Sequence, residues 1–274
     1  MRLRSSCLRA CRCCGSWSYF PRDGASGQAA LHDSEEYFDH PYFTVRRAMV
    51  RAQRRCREVF RRLSAAIDIP SLRGQRLLDL GCDTGAFLKA AQEELGVAGV
   101  GIDVSGRAVA AARQQGVEAY RTAVEQAPAE LSDFPVATAI DLLEHVPYPE
   151  AFLRAVRARL RPGGVVYLET PNLRSVVFGF GRRLSLITGG RPAALLERLF
   201  PRQHIQMFTA GSLRGLSQRA EFEVVRVGTS VLPASDIAAG VAARLGIGAL
   251  QLCDRIIGTE ILLWAVLRRP AEAS

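Results

Sequence analysis

Leu77-Leu-Asp-Leu-Gly-Cys-Asp-Thr-Gly85 is an apolar run that ends in a tight glycine turn. Arg76 to Leu80 has the length and bulk of a buried parallel strand, and a helix is predicted to open at Ala86. A strand, a glycine turn and a helix in that order form the ligand-cradling corner of a doubly wound α/β sheet. The turn departs from the dinucleotide fingerprint G-x-G-x-x-G at one position. Asp83 stands where the second glycine would let backbone approach a pyrophosphate. A carboxylate there repels phosphate and suits a ligand with a positive end.

The next strand, Gly99-Val-Gly-Ile-Asp103, ends in an acid 22 residues after Gly81. An acid at that place accepts hydrogen bonds from both ribose hydroxyls of an adenosine ligand. Ser105 is placed to cap a helix running through Arg113. Further along, Phe134 to Ile140 reads as a strand, followed by Asp141-Leu-Leu-Glu-His-Val146. A helix is predicted over Pro149 to Leu160, then a turn at Arg161-Pro-Gly-Gly164, then the strand Val165-Val-Tyr-Leu-Glu-Thr-Pro-Asn172. Strand and helix alternate five times over residues 76–170, as a parallel sheet with crossover helices requires. After Asn172 the pattern breaks. Residues 173–203 are basic and apolar, punctuated by Gly179, Gly181, Gly189, Gly190 and Pro192. They are long for a connection, which predicts a lid or substrate-recognition insertion where the crevice opens. The sheet is expected to resume with helix Gly211 to Ala220, strand Phe222 to Val227 and a last strand Glu260 to Arg268. Residues 232–258 read as an apolar helical excursion before that last strand.

Taken together, Asp79-Leu-Gly-Cys-Asp-Thr-Gly85, Asp103, Asp141-Leu-Leu-Glu-His145, Leu160-Arg-Pro-Gly-Gly164, Glu169-Thr-Pro-Asn172 and His204-Ile-Gln-Met-Phe-Thr209 resemble the class I S-adenosylmethionine-dependent methyltransferases. Within them the chain is similar to the branch holding ubiquinone-biosynthesis O-methyltransferases and methyltransferases of glycan and natural-product clusters. The resemblance covers roughly Glu36 to Arg268. It implies a Rossmann-like α/β fold: a doubly wound seven-stranded sheet, mostly parallel, with an antiparallel last strand inserted beside the fifth and helices on both faces. The implied organisation is an Arg/Cys-rich, loose segment at 1–35 and a methyltransferase domain at 36–270, with insertions at about 173–203 and 232–258. The implied cofactor is S-adenosylmethionine, which has no phosphate and carries a sulfonium and an ammonium.

The cofactor contacts expected from these motifs are Asp79, Gly81, Cys82, Asp83, Gly85, Asp103, Val104, Thr122, Ala123, Asp141 and Leu142. The turn borders the methionine portion, Asp103 holds the ribose, Thr122 and Ala123 border the adenine, and Asp141 and Leu142 line the sulfonium side. Methyl transfer from a sulfonium needs chiefly proximity and orientation, but an oxygen acceptor must also lose a proton to a base. His145 and His204 are the candidate catalytic bases. In some relatives of the ubiquinone branch the residues matching Asp141, Glu144 and His145 hold a divalent metal. The spacing here permits that, and no metal is assigned. The expected acceptor is a small or lipid-linked hydroxylated molecule: a sugar, a quinone precursor or a polyketide. Two other readings stand beside this one. A non-catalytic cofactor-binding relative acting as a partner subunit is opposed by the intact acids Asp79, Asp103 and Asp141. A nicotinamide oxidoreductase is opposed by Asp83 and by the Gly-rich turn before the fifth strand.

Composition narrows the partners. The formal charge is +9, which invites nucleic acid, but Lys89 is the only lysine. An arginine bias of that kind reflects a GC-rich genome more often than a binding face, and no RNA-recognition signature appears. No nucleic-acid partner is expected. The seven cysteines form no evenly spaced disulfide framework, so a reducing cytoplasm is the simpler reading. Five arginines precede the first acid, Asp23, but no apolar core of a secretory signal follows. The longest apolar stretch, Ile237 to Cys253, is interrupted by Arg244, so no spanning helix is expected. Cys11 and Cys14 form one C-x-x-C knuckle whose second pair is missing; His32 and His40 could complete a zinc site, at an unusual spacing. A helix is predicted over Thr44 to Ala66. Val45, Met49, Ala52, Cys56, Val59 and Leu63 lie on one face and a row of arginines on the other. That basic face is either solvated or laid on an anionic membrane, a peripheral contact also open to the two apolar insertions.

Overall fold

Strand β4 (Arg76–Leu80) is the middle of a seven-stranded sheet. In the computed structural model the described residues are 2–3, 6–12, 14–20, 49–67, 72–189, 191, 199–201, 203–233 and 241–271. The first three strands are β1 (Arg2–Leu3), β2 (Ser6–Ala10) and β3 (Trp17–Phe20), and helix α1 is Met49–Ala66. From β4 the chain alternates α2 (Ala86–Leu95), β5 (Ala98–Asp103), α3 (Gly106–Gln114), β6 (Glu118–Arg121), β7 (Phe134–Ile140), α4 (Pro149–Arg159) and β8 (Leu160–Pro171). It continues through α5 (Val176–Thr188), β9 (Gln206–Met207), α6 (Ala210–Arg219), β10 (Glu223–Ser230), α7 (Val241–Ile257) and β11 (Leu262–Arg268).

The large sheet runs β10-β11-β8-β7-β4-β5-β6. The pairs β4–β5, β5–β6, β4–β7 and β7–β8 are parallel. β11 is antiparallel to both β8 and β10, so the last strand slots in beside the fifth as expected. Strand order reverses at β4, which puts a crevice beyond its carboxyl end.

Alternating side chains send two apolar sets to opposite faces. One face gathers Leu77, Val136 and Tyr167 under Cys56, Val59 and Leu63 of α1 and Leu88 of α2. The other gathers Leu78, Ala137 and Leu168 under Phe152 of α4 and Leu213 of α6. Local signals hold the helix ends. The Ser105 hydroxyl accepts from the Ala108 N–H at α3, and Thr209 and Ser212 form a reciprocal capping box at α6.

Three sequence expectations are modified. Arg161-Pro-Gly-Gly164 is no separate turn: β8 runs through it from Leu160, with Gly163 at φ +76° and its N–H donating to the Arg269 carbonyl. The long insertion after Asn172 contains α5, capped by Ser175. And within the segment 1–35 read as loose, residues 6–10 and 17–20 are strands. Here β2 and β3 form an antiparallel hairpin, and β3 pairs with β9 through Trp17 and Met207. Cys11 and Cys14 lie in the hairpin turn, and His32 and His40 lie outside the described residues. The predicted excursion at 232–258 contains α7. Helix α1 ends where expected, while residues 44–48 of that expectation lie outside the described residues.

Candidate active site

The turn after β4 is built by three left-handed residues, Gly81 (φ +69°), Asp83 (φ +48°) and Gly85 (φ +79°). A side chain at Gly81 would meet the Leu142 Cδ1 at 2.9 Å, so glycine lets the two loops close on each other. Asp83 holds a conformation that aspartate tolerates better than most residues. Cys82 points away from the crevice. Its sulfur fills the hollow left by Gly101, where an added Cβ would sit 2.6 Å from Sγ. Burial raises the Cys82 thiol far above its ordinary range, so it stays protonated.

Asp103 is tied to the turn. Its two carboxylate oxygens accept from the backbone N–H groups of Asp83 (3.0 Å) and Ser105 (2.8 Å). Each oxygen retains a second lone-pair site, so two further donors can be received. Burial pushes its carboxyl up to about 6 against the pull of the backbone N–H groups of Ser105, Asp83 and Val104. The β5–β6 pairing brings Thr122 alongside, with its N–H donating to the Asp103 carbonyl (3.0 Å) and its hydroxyl to the Ala123 carbonyl. Val104 follows Asp103 on the same loop, half-buried. Asp79 is buried at the end of β4 and accepts from the Thr138 hydroxyl of β7 (2.6 Å).

A cavity of about 580 Å³ opens here. Its wall includes Asp79, Gly81, Cys82, Asp83 and Asp141, along with residues of α1, β10 and β11. Gly85, Asp103, Val104, Thr122, Ala123 and Leu142 are not part of that wall. Over the cavity α1 lays arginines onto a buried acid. Glu169, fully buried on β8, lies 2.6 Å from Arg55 Nη2 and 2.8 Å from Arg62 Nη1, and accepts from the Tyr167 hydroxyl (2.7 Å). Arg55 also donates to Asp141 (3.1 Å). The basic face of α1 is therefore partly turned inward, and its seven-residue spacing from Arg55 to Arg62 keeps both on one side of the helix. Arg55, Arg62, Tyr167, Glu169, Thr138 and Gly101 were given no role from the sequence. An acid directly after the Val165 to Leu168 run, still within the buried strand, was the available signal.

His145 and His204 come together although they are far apart in the chain. Their rings meet edge to face with centroids 4.9 Å apart. His145 Nδ1 lies 2.8 Å from the Gln203 carbonyl, which can only accept, so that nitrogen carries the proton and Nε2 is the basic one. Neither histidine lies on the cavity wall; His145 is in the short turn after β7 and His204 lies just before β9. Glu144 is buried beside them and accepts from the Thr170 hydroxyl (2.8 Å). Glu144, His145 and His204 offer ligand atoms all within 4.8 Å of one another. The metal set implied by resemblance, Asp141 with Glu144 and His145, does not fit: Asp141 is turned to Arg55 and is not part of that group. No step below is routed through a metal.

A strand-turn-helix corner with this acid at the next strand end, on this sheet order, defines a family. Residues 49–227 match the family model described as a methyltransferase domain, and the chain belongs to that family. It is 35% identical over 147 residues to a ubiquinone biosynthesis O-methyltransferase of Xanthomonas oryzae pv. oryzae, covering 51% of this chain and 56% of that one. It is 37% identical over 142 residues to the Bordetella pertussis protein of the same name, covering 48% and 54%. The chain spans about half the length of the curated relatives it matches. In fold it is similar to a Haemonchus contortus phosphoethanolamine N-methyltransferase 2 solved with S-adenosyl-L-methionine (TM-score 0.61, 15% identity, 93% of this chain and 62% of that chain). It is also similar to a Thermotoga maritima S-adenosylmethionine-dependent methyltransferase described as a possible histamine N-methyltransferase (TM-score 0.57, 17% identity, 88% and 99%).

Proposed function

We propose that this chain binds S-adenosylmethionine in the cavity beside β4 and transfers its methyl group to a hydroxyl of a small or lipid-linked acceptor. The observation that carries the reading is Asp103. Its carboxylate is fixed by two backbone donors and keeps one lone pair per oxygen for the two ribose hydroxyls. Backbone at Gly81, Cys82, Asp83 and Gly85 borders the methionine portion. Val104, Thr122 and Ala123 border the adenine, and Leu142 closes the sulfonium side. Asp79 and Asp141 bring negative charge to the ammonium and sulfonium end. In the transfer the acceptor oxygen bonds to the methyl carbon as the sulfur–carbon bond breaks. The electron pair stays on sulfur, leaving a neutral thioether, and the hydroxyl proton passes to a base. His145 and His204 are the only histidines among the described residues and are the candidates for that base.

Calorimetry tests the cofactor step. S-adenosylmethionine and S-adenosylhomocysteine are expected to bind and NADH not to bind. Asp103→Ala should weaken S-adenosylhomocysteine by about 1.5–3 kcal/mol, the scale of charge-assisted hydrogen bonds lost from a desolvated site. The wild-type affinity should fall as pH drops below about 6, where the carboxylate protonates and stops accepting from the hydroxyls. For the ligand-free fold the sign reverses. A carboxyl raised from 3.8 to about 6 contributes its stability in full below 3.8 and loses it as pH rises through about 6. NADH binding without S-adenosylhomocysteine binding would replace the methyltransferase by an oxidoreductase. An unchanged affinity in Asp103→Ala would move the ribose elsewhere.

A second feature bears on the acceptor. On α5 and α7, which pack together, Ile187 is 84% and Ile256 80% exposed, with Leu186 and Leu245 exposed as well. Arg182, Arg183 and Arg244 accompany them. An apolar row edged by arginines suits the surface of an anionic membrane, and no helix among the described residues is long and apolar enough to cross one. Flotation with anionic liposomes is expected to carry the protein at low salt. It should fail at high salt and when Arg182 and Arg183 are changed to glutamate. A protein left at the bottom of the gradient at low salt would leave these helices as a lid over a water-soluble acceptor.

A further inference from the structure

We propose that Glu144, His145 and His204 form a zinc site, and that zinc seated there stops catalysis by occupying His145 Nε2. The second half rests on the methyltransferase reading above, with His145 as the base; the site itself does not. Among the described residues this is the one group of three or more histidines, cysteines and acids placed to share an ion. Their ligand atoms all lie within 4.8 Å of one another. Zinc bonds of about 2.0–2.1 Å in a tetrahedron hold neighbouring ligand atoms roughly 3.4 Å apart, so no pair has more than about 1.4 Å to close. Glu144 is buried and both histidines are half-buried, which leaves an ion a way in from solvent.

The site is built from three parts of the chain and is oriented from outside. His145 Nδ1 donates to the Gln203 carbonyl at 2.8 Å, which leaves Nε2 as the nitrogen for a metal. A metal-bound imidazole nearly always gives its other N–H to a carbonyl, a carboxylate or water in this way. Glu144 accepts from the Thr170 hydroxyl of β8 at 2.8 Å, and a ligating carboxylate is likewise held by a hydrogen bond. Gln206, buried at the start of β9, donates to the carbonyls of Val146 (3.0 Å) and Pro147 (3.1 Å). It thereby stitches the segment that carries His204 to the turn that carries His145.

Two imidazoles and one carboxylate suit zinc and leave a fourth position for water. Magnesium favours an oxygen shell and keeps several waters, so it is a poor match. This donor set differs from the one that resemblance implies in both membership and metal: His204 takes the place of Asp141, which is paired with Arg55. A metal and a proton compete for one lone pair on an imidazole nitrogen. His145 Nε2 is the nitrogen assigned to the acceptor's proton, so zinc on it leaves no base there. Zinc is then an inhibitor of this chain rather than its cofactor.

The test titrates zinc chloride and magnesium chloride into the full chain saturated with S-adenosylhomocysteine, by calorimetry. One zinc equivalent is expected to bind at least a hundredfold more tightly than magnesium. Glu144→Gln, which keeps an acceptor for the Thr170 hydroxyl, and His204→Ala should each weaken that equivalent at least tenfold. Zinc taken instead by Cys11 and Cys14 of the hairpin turn would persist in both variants. NMR of the wild-type chain with nitrogen-labelled histidine reads the ligands directly. Zinc should move Nε2 of His145 and one nitrogen of His204, while His145 Nδ1 keeps its proton. Added zinc should also cut methyl transfer at least tenfold, and a chelator should restore it. No zinc equivalent sensitive to both substitutions, or an unmoved His145 Nε2, overturns the proposal while S-adenosylhomocysteine binding leaves the methyltransferase reading standing. Zinc that binds at the site and leaves turnover unchanged overturns the inhibition. Zinc binding there in a protein that binds no S-adenosylhomocysteine keeps the metal site and overturns both the methyltransferase reading and the inhibition derived from it.

Discussion

Glu169→Ala should destabilise the fold by about 3–5 kcal/mol, the cost of breaking a buried ion pair by removing one partner. Glu169 is fully buried, and the side chains of Arg55 and Arg62 are only 23% and 10% exposed. With the carboxylate gone, Arg62 keeps Glu58 and the Tyr167 hydroxyl, and Arg55 keeps Asp141. Burial and the neighbouring carboxylate hold the Tyr167 hydroxyl well above its ordinary range, so Tyr167 stays a neutral donor and cannot replace the lost charge. Glu169→Gln keeps shape and acceptor and should cost clearly less. Replacing all three, Glu169→Leu with Arg55→Met and Arg62→Met, should recover part of the loss, because an apolar cluster of similar volume has no desolvation penalty. Urea midpoints of the four proteins decide it. A loss under about 1 kcal/mol in Glu169→Ala would place this network with surface pairs.

The network also shows what the sequence could and could not say. Strands β4 and β7 were legible to the residue, because each is an apolar run closed by an acid or a glycine turn. Ser105 announced α3 for an equally local reason. Glu169 was quoted only as part of a motif. Its meaning depends on two arginines more than a hundred residues earlier, and no local period encodes that pairing. Gly101 has the same character. It is required by the Cys82 sulfur in the neighbouring turn, a contact made by parallel pairing rather than by anything within its own strand. The N-terminal hairpin escaped detection because its strands are short and one partner, β9, is a two-residue strand nearly two hundred residues away. Backbone pairing of that kind leaves no alternation in the side chains. The expected cofactor contacts divide by the same logic. Asp79, Gly81, Cys82, Asp83 and Asp141 lie on the cavity wall, whereas Asp103 lies off it and is joined to the turn through the Asp83 N–H.

The two histidines give the other large expected effect. His145→Ala should lower turnover a hundredfold or more while leaving S-adenosylhomocysteine affinity nearly intact, the usual contribution of a positioned general base. The geometry assigns the roles within the pair. Gln203 fixes the proton on His145 Nδ1, leaving Nε2 to receive one, while His204 stands edge-on to that ring. His145→Asn separates the two contributions. Its amide can still donate to the Gln203 carbonyl and preserve the loop, but it has no basic nitrogen. If His145 takes the acceptor's proton, the asparagine variant is as slow as the alanine variant, and both lose the acidic limb of the wild-type pH–rate profile. If His145 only anchors the loop, asparagine restores turnover and the acidic limb is kept. His204→Ala should act more weakly, by letting the His145 ring reorient, and should leave that limb in place. Full activity in both alanine variants at every pH would leave orientation beside an already activated sulfonium as the whole of the catalysis.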